Sequence, residues 1–172
     1  MIVEADQLAA AAPGVIELGL SGECDVDGII VSAFGDPGLA ALRRQVRVPV
    51  VGIAEAAMLE AATEGRRFGV ATVTPGLVEP IAERVRQLGI TCFYAGIRLT
   101  SDDPLTLASD PERLIEALAK AVYESIRCDG AEAVVIGGGP LGQAAIDLAP
   151  RFTTPVIAPI PAAMRRLMRA IV

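Results

Sequence analysis

Apolar residues along this chain come in two rhythms. Short unbroken runs such as Ile29-Ile30-Val31, Val50-Val51, Val134-Val135-Ile136 and Val156-Ile157 are separated by longer stretches of mixed polarity. The short runs have the character of parallel strands covered on both faces. The longer stretches predict helices over 5–20 (Leu8, Ala12 and Ile16 on one stripe, interrupted at Pro13-Gly14), 37–45 (opened by Pro37), 54–65 (closed by Gly65), 75–88 (opened by Pro75, closed by Gly89), 111–128, 140–149 and 161–171. Ser109 or Asp110 can cap the helix at 111, which has Glu112 in its first turn. Strands are predicted at 27–33, 48–52, 68–73, 90–94, 132–136 and 155–158, and 96–111 is the longest irregular segment. Strands alternating with helices at this spacing define an α/β fold with mostly parallel sheets flanked by helices.

The pattern also repeats. Pro49, Val50, Ala56, Ala57 and Met58 fall on Pro155, Val156, Ala162, Ala163 and Met164 at one constant offset of 106 residues. Ahead of each block stands a strand running into a Gly-rich turn: Ile29-Ile30-Val31-Ser32-Ala33-Phe34-Gly35-Asp36 in one, Val134-Val135-Ile136-Gly137-Gly138-Gly139-Pro140 in the other. A repeat of strand, turn, helix, strand and helix predicts two pseudo-symmetric lobes with a cleft between them, each aiming its turn at a shared ligand. The first lobe is assigned 1–66 plus about 150–172, and the second 67–149.

Composition narrows the chemistry. The 172 residues are 52% apolar, with a mean hydropathy of +0.50, yet no apolar run reaches the roughly 18 residues needed to span a bilayer. The start of the chain carries Glu4 and Asp6 and no basic region, which predicts no cleaved signal peptide and a cytoplasmic protein. A net charge of −6 argues against nucleic acid as a partner. Arg165, Arg166 and Arg169 read as a solvated helix face that complements the helix dipole. Three cysteines without CxxC spacing and no histidine at all exclude a zinc site, a disulfide framework and His-based nucleophiles. Cys24, Cys92 and Cys128 read as small buried hydrophobes.

In open α/β sheets ligands sit beyond the carboxyl ends of the strands. That places the candidate site at Ser32, Ala33, Phe34 and Gly35 on one side and Gly137, Gly138, Gly139 and Pro140 on the other. Glycines there either let backbone N–H groups at Phe34, Gly35, Gly138 and Gly139 approach an anion or simply make tight turns. Asp36 is an acid/base candidate or a helix cap. Glu55 points into the cleft or caps its own helix. Thr72 and Thr74 end the strand that opens the second lobe, where Thr74 before Pro75 can also serve as a cap.

The motifs Phe34-Gly35-Asp36-Pro37-Gly38-Leu39, Pro49-Val50-Val51-Gly52-Ile53-Ala54-Glu55-Ala56-Ala57-Met58, Ala131-Glu132-Ala133 before the Val134 strand, and Pro155-Val156-Ile157 with Ala162-Ala163 resemble the aspartate/glutamate/hydantoin racemase superfamily, in its hydantoin and allantoin branch. The resemblance runs from about residue 26 to the end. It implies two pseudo-symmetric α/β lobes, no cofactor, and a small carboxylate or cyclic amide whose α-proton is exchanged by two cysteines from opposite faces, with Thr72 and Thr74 as donors to a ligand carboxylate. A homo-oligomer is left open. The family's cysteine positions fall here on Ala33 and Gly138, which exchange no proton. No strand with the family's Asn-Pro-Asn-Thr stretch precedes residue 26, so that region is either truncated or diverged. The resemblance therefore implies a racemase-like isomerase, a catalytically silent binding relative, or a lyase or decarboxylase that stabilises an enediolate on the backbone cradle.

Overall fold

Two parallel sheets share a layer of helices. In a computed structural model, which describes residues 2–171, the chain runs α1 (Ala5–Gly22), β1 (Ile29–Val31), α2 (Leu39–Arg43), β2 (Val50–Gly52), α3 (Ile53–Ala61), β3 (Phe68–Thr72), α4 (Val78–Gln87), β4 (Tyr94–Leu99), α5 (Pro104–Ala108), α6 (Pro111–Asp129), β5 (Ala133–Ile136), α7 (Gly142–Leu148), β6 (Val156–Ile157) and α8 (Pro159–Ile171). β1 pairs with β2, and the other four strands lie in the order β4-β3-β5-β6, every pair parallel.

Alternation along the strands sorts the core into two sides. Phe68, Val70, Ala133 and Val135 face α3, α4 and α8 together with Met58, Ile81 and Leu167. Ala71, Val134 and Ile136 face the other way, toward Leu118 and Val122 of α6 and Leu148 of α7. β2, β3, β5 and β6 are buried along their whole length, as strands covered on both faces must be, whereas the edge strand β4 is only partly buried. A smaller cluster of Val31, Leu39, Leu42 and Val50 seals α2 onto β1 and β2, with Val15 and Ile16 of α1 packed against it.

The sequence repeat is a structural repeat. β1 and β2 correspond to β5 and β6, and α3 begins at Ile53 where α8 begins at Pro159, again 106 residues apart. α3 and α8 pack against each other, and Ala56, Ala57, Ala162 and Ala163 are all buried there, small side chains that let the two helices approach. β6 hydrogen-bonds within the four-stranded sheet while α8 covers β1 and β2. We propose a division into lobes 1–66 plus about 150–172 and 67–149, in which Val156–Ile157 lie in the sheet of the second lobe and α8 against the first.

Several local expectations are corrected. α1 runs through Pro13 without a break; Ala9, whose carbonyl Pro13 leaves without a donor, is exposed and open to water. Pro37 does not open a helix, because Asp36 (φ 53) and Gly38 (φ 72) make a tight turn and α2 starts at Leu39. A Cβ at Gly38 would lie 2.9 Å from the Ala12 carbonyl of α1, so this turn is pressed against that helix. The strand predicted at 90–94 begins instead at Tyr94, after a 3-10 turn over Thr91–Phe93, and extends to Leu99. Arg98 near its end, bound to Asp129 at 2.7 and 2.6 Å, disguises it as a loop. The segment 96–111 therefore holds the end of β4 and the short α5. The three cysteines are exposed, not buried, on turns and on the outer side of α6. The cap of α6 is Asp110, which accepts from the Arg113 N–H at 3.1 Å. No described helix is long and apolar enough to cross a membrane.

The repeat is broken at its methionines, since Met58 is fully buried and Met164 is 50% exposed. Met58→Ala is expected to cost about 2–5 kcal/mol and Met164→Ala less than about 0.5 kcal/mol, as read from urea unfolding midpoints. Equal losses would show that the two halves pack alike.

Candidate active site

The site starts from the turn after β1. Asp36 sits in left-handed backbone with 1% of its surface exposed. It does not cap the helix that follows it. Its two carboxylate oxygens accept instead the backbone N–H groups of Ala54 and Glu55, at 2.9 and 2.8 Å, at the start of α3. Those donors have no helical partner of their own, and the N-cap residue Gly52 has no side chain to offer. Gly52 is required for the approach, because a Cβ there would lie 2.2 Å from the Asp36 carboxyl carbon. Arg84 of α4, the helix that follows β3, completes the arrangement: its Nη2 donates to the carbonyls of Gly35 and Asp36 at 2.9 and 3.0 Å, and its Nε lies 3.6 Å from Asp36 Oδ2.

Burial pushes the Asp36 carboxyl up to about 6, against the opposing pull of the Ala54 and Glu55 N–H groups and the Arg84 guanidinium. Glu55 faces a different surface. Arg43 holds its carboxylate in a fork at 2.9 and 2.8 Å, and Arg166 approaches it at 3.5 Å. Neither Asp36 nor Glu55 lines the cavity described next.

The turns after β1 and β5 do meet. They close on one cavity of about 160 Å³, lined by Ser32, Ala33 and Phe34 from the first turn and Gly137 to Leu141 from the second. Val73, Thr74 and Leu77 follow β3 at its rim, and Ile2 and Leu8 cover it from the N-terminal segment. A Cβ on Gly139 would be 3.3 Å from the Ser32 carbonyl, and one on Gly137 would be 3.4 Å from the Phe34 ring, so the two turns are in near contact. Among the described residues no ionisable side chain lines this cavity. Its polar groups are backbone atoms and the hydroxyls of Ser32 and Thr74.

Proton accounting sets what those groups can do. The Thr72 hydroxyl donates to the Gly137 carbonyl, so in its contact with Thr74 at 3.1 Å it must accept. Thr74 therefore turns its hydroxyl proton toward Thr72 and presents lone pairs to the cavity. Thr72, wholly buried, positions the glycine turn and does not line the space. The Gly138 N–H, one of the four expected anion donors, is engaged by the Ile136 carbonyl at 3.1 Å. The N–H groups of Phe34 and Gly35 have no partner among the described residues. Gly35 itself, like Asp36, lies beside the cavity and not in its wall. The role of Asp36 as a cap in trans for α3 and its contact with Arg84 were missed in the sequence; their one signal there is the pairing of Asp36-Pro37-Gly38 with a side-chain-free Gly52 before an uncapped helix.

Two α/β halves that share a helical layer and turn their Gly-rich loops onto one cavity define the class of pseudo-symmetric α/β racemase folds. The chain belongs to the Asp/Glu/hydantoin racemase family, whose sequence profile matches residues 2–167. It is 34% identical over 139 residues to a hydantoin racemase of Paenarthrobacter aurescens, covering 81% of this chain and 59% of that protein. It is also 34% identical over 158 residues to a hydantoin racemase of Rhizobium meliloti, covering 91% and 66%. Among solved structures, allantoin racemase from Klebsiella pneumoniae superposes with a TM-score of 0.91 at 31% identity, over 98% of this chain and 69% of that one. The chain thus spans about three fifths of the length of the hydantoin racemases it matches.

Asp36 gives the folded protein a pH signature. The folded carboxyl keeps its proton up to about pH 6, while the unfolded chain releases it near 3.8. Between those values the folded state binds more protons, so stability falls as pH rises through the window and levels off above it. Urea unfolding from pH 4 to 7 is expected to show that decline in the native chain and not in Asp36→Asn; parallel curves would contradict the assignment. Gly52→Ala, which drives a methyl into the carboxylate, is expected to lose about 1–3 kcal/mol by the same measurement.

Proposed function

We propose that the chain is a hydantoin-racemase-like protein that binds a small cyclic amide or carboxylate in the cavity between the two glycine turns, and that as it stands it does not perform two-base racemisation. The observation that carries this reading is the lining: two turns related by the repeat meet across a ligand-sized recess whose described residues include no acid or base. Free N–H groups at Phe34, in the wall of the recess, and at Gly35, beside it, suit a carbonyl or carboxylate oxygen, and the Thr74 oxygen suits an N–H. An amide ring carries both. The family resemblance places its two proton-exchanging cysteines at Ala33 and Gly138, both of which line the recess. A positioned acid/base group is worth about 10²–10⁴ in rate, and neither methyl nor hydrogen supplies one. The proposal includes a cytoplasmic location, which three exposed, unpaired thiols fit.

The geometry accommodates restoration. Gly138 has extended backbone (φ 162), and a Cβ there would meet only the Leu141 side chain at 3.1 Å, which rotation relieves. Hydantoin and allantoin are expected to raise the thermal unfolding midpoint of the native chain, while α-deuterium incorporation in D₂O, followed by NMR, stays at the buffer rate. The Ala33→Cys, Gly138→Cys double variant is expected to exchange measurably faster than buffer. Exchange by the native chain above buffer would overturn the non-catalytic reading, and a folded double variant that binds ligand and exchanges nothing would overturn the assignment of these two positions.

A further inference from the structure

The charge of −6 is unevenly distributed. A groove of about 1070 Å³ runs along the outer edge of β2, between α3 and α8, away from the cavity described above. Six arginines line it: Arg43 at the end of α2, Arg47 in the turn to β2, Arg66 in the link from α3 to β3, and Arg165, Arg166 and Arg169 on α8. Among the described residues Glu60 is the one acidic residue in its wall, and Glu55 lies directly behind Arg43 and Arg166. Glu23 accepts from the Arg47 backbone N–H, and six guanidiniums against three carboxylates leave an excess of three positive charges on one concave face of an acidic protein. The three α8 arginines are therefore part of a larger constellation and not an isolated solvated stripe.

Half of these arginines are held by the protein. Arg43 donates to the Val50 carbonyl at 2.8 Å and forks onto Glu55, which closes the outer edge of β2. Arg165 forks onto Glu60 at 3.0 and 2.7 Å, and Arg66 donates to the carbonyls of Thr63 and Glu60, each at 3.0 Å. The other half are not. The guanidiniums of Arg47 and Arg169 have no hydrogen bond or ion pair among the described residues, and Arg166 only reaches an oxygen of Glu55 that Arg43 already occupies. Clustered like charges repel, and an anion that enters removes the repulsion. The planar donor fork of guanidinium matches phosphate oxygens two at a time. The floor between the arginines is apolar, with Val46, Val48 and Leu59, and the volume is that of a site for a sizeable small molecule.

We propose that this groove binds a small polyanion with two or more phosphate groups, received by Arg47, Arg166 and Arg169. A free oligophosphate and a nucleoside di- or triphosphate share that chemistry. Isothermal titration of the whole chain with inorganic tripolyphosphate, ATP and orthophosphate tests it. Tripolyphosphate is expected to bind at one site at least about tenfold more tightly than orthophosphate, and to weaken as salt is raised. ATP binding more tightly than tripolyphosphate would assign the site to a nucleotide, and equal affinities would assign it to the free oligophosphate. Arg166→Gln combined with Arg169→Gln is expected to weaken tripolyphosphate by about a hundredfold, roughly tenfold for each guanidinium removed. Arg113→Gln, whose guanidinium pairs with Asp102 elsewhere, should leave the affinity unchanged. All of these side chains are exposed, so circular dichroism should report an intact fold; Arg47→Gln with Arg169→Gln is the second variant should the first misfold. No saturable binding of tripolyphosphate by the folded native chain, or an affinity untouched in a folded double variant, would overturn the proposal.

Discussion

One buried carboxylate organises the region around the candidate site. The α3 helix lies between the two sheets with Ile53, Ala54, Ala57, Met58 and Ala61 wholly buried, so its first N–H groups cannot turn to water. Asp36 satisfies two of them from a separate turn, and this requirement propagates. The turn must enter left-handed backbone at a residue with a side chain, β2 must end in a residue without one, and Arg84 must cross from α4 to hold the same turn. Taking an ionised group out of water is costly, and at Asp36 that cost outweighs three favourable neighbours, so the carboxyl titrates high. The position of Phe34, and with it one wall of the cavity, follows from that clasp.

The two halves solve the same problem by different chemistry. α8 is the counterpart of α3 and packs against it, yet no carboxylate stands where Asp36 stands; the turn after β5 continues into Pro140 and Leu141. α8 begins Pro159-Ile160-Pro161. Proline has no N–H, so two of the donors that would need a cap are absent. The divergence leaves the second turn free of a clasp and formed from three glycines, which is why it approaches the Ser32 carbonyl and the Phe34 ring so closely. An internal duplication thus yields a cavity with two unlike walls: one held by a buried charge, the other by the Thr72 hydroxyl on the Gly137 carbonyl.

The same geometry bears on catalysis. Membership of a racemase family sets the scaffold, but proton transfer depends on particular groups in the wall. The ionisable residues near the turns are engaged elsewhere: Asp36 in capping α3 and Glu55 in a fork with Arg43. Among the described residues, those that line the recess are neutral.

The alternation of short Val/Ile runs with helical stretches determined the α/β class, and the offset of 106 residues between Pro49-Val50 and Pro155-Val156 determined the correspondence of the halves and the meeting of their turns. Both are local or periodic properties that burial enforces residue by residue, so they are written in the chain. β4 was hidden because Arg98 is matched by Asp129, 31 residues away, and α1 passes Pro13 because the affected carbonyl happens to be solvated. The fates of Asp36 and Glu55 were not legible either. Each has an ordinary local role open to it, and the partner that decides its role, the α3 N-terminus for one and Arg43 for the other, lies 12 to 19 residues away along the chain. The basic groove likewise draws arginines from residues 43 to 169. Charges and hydrogen bonds act through space, and only the tertiary structure decides which of them share it.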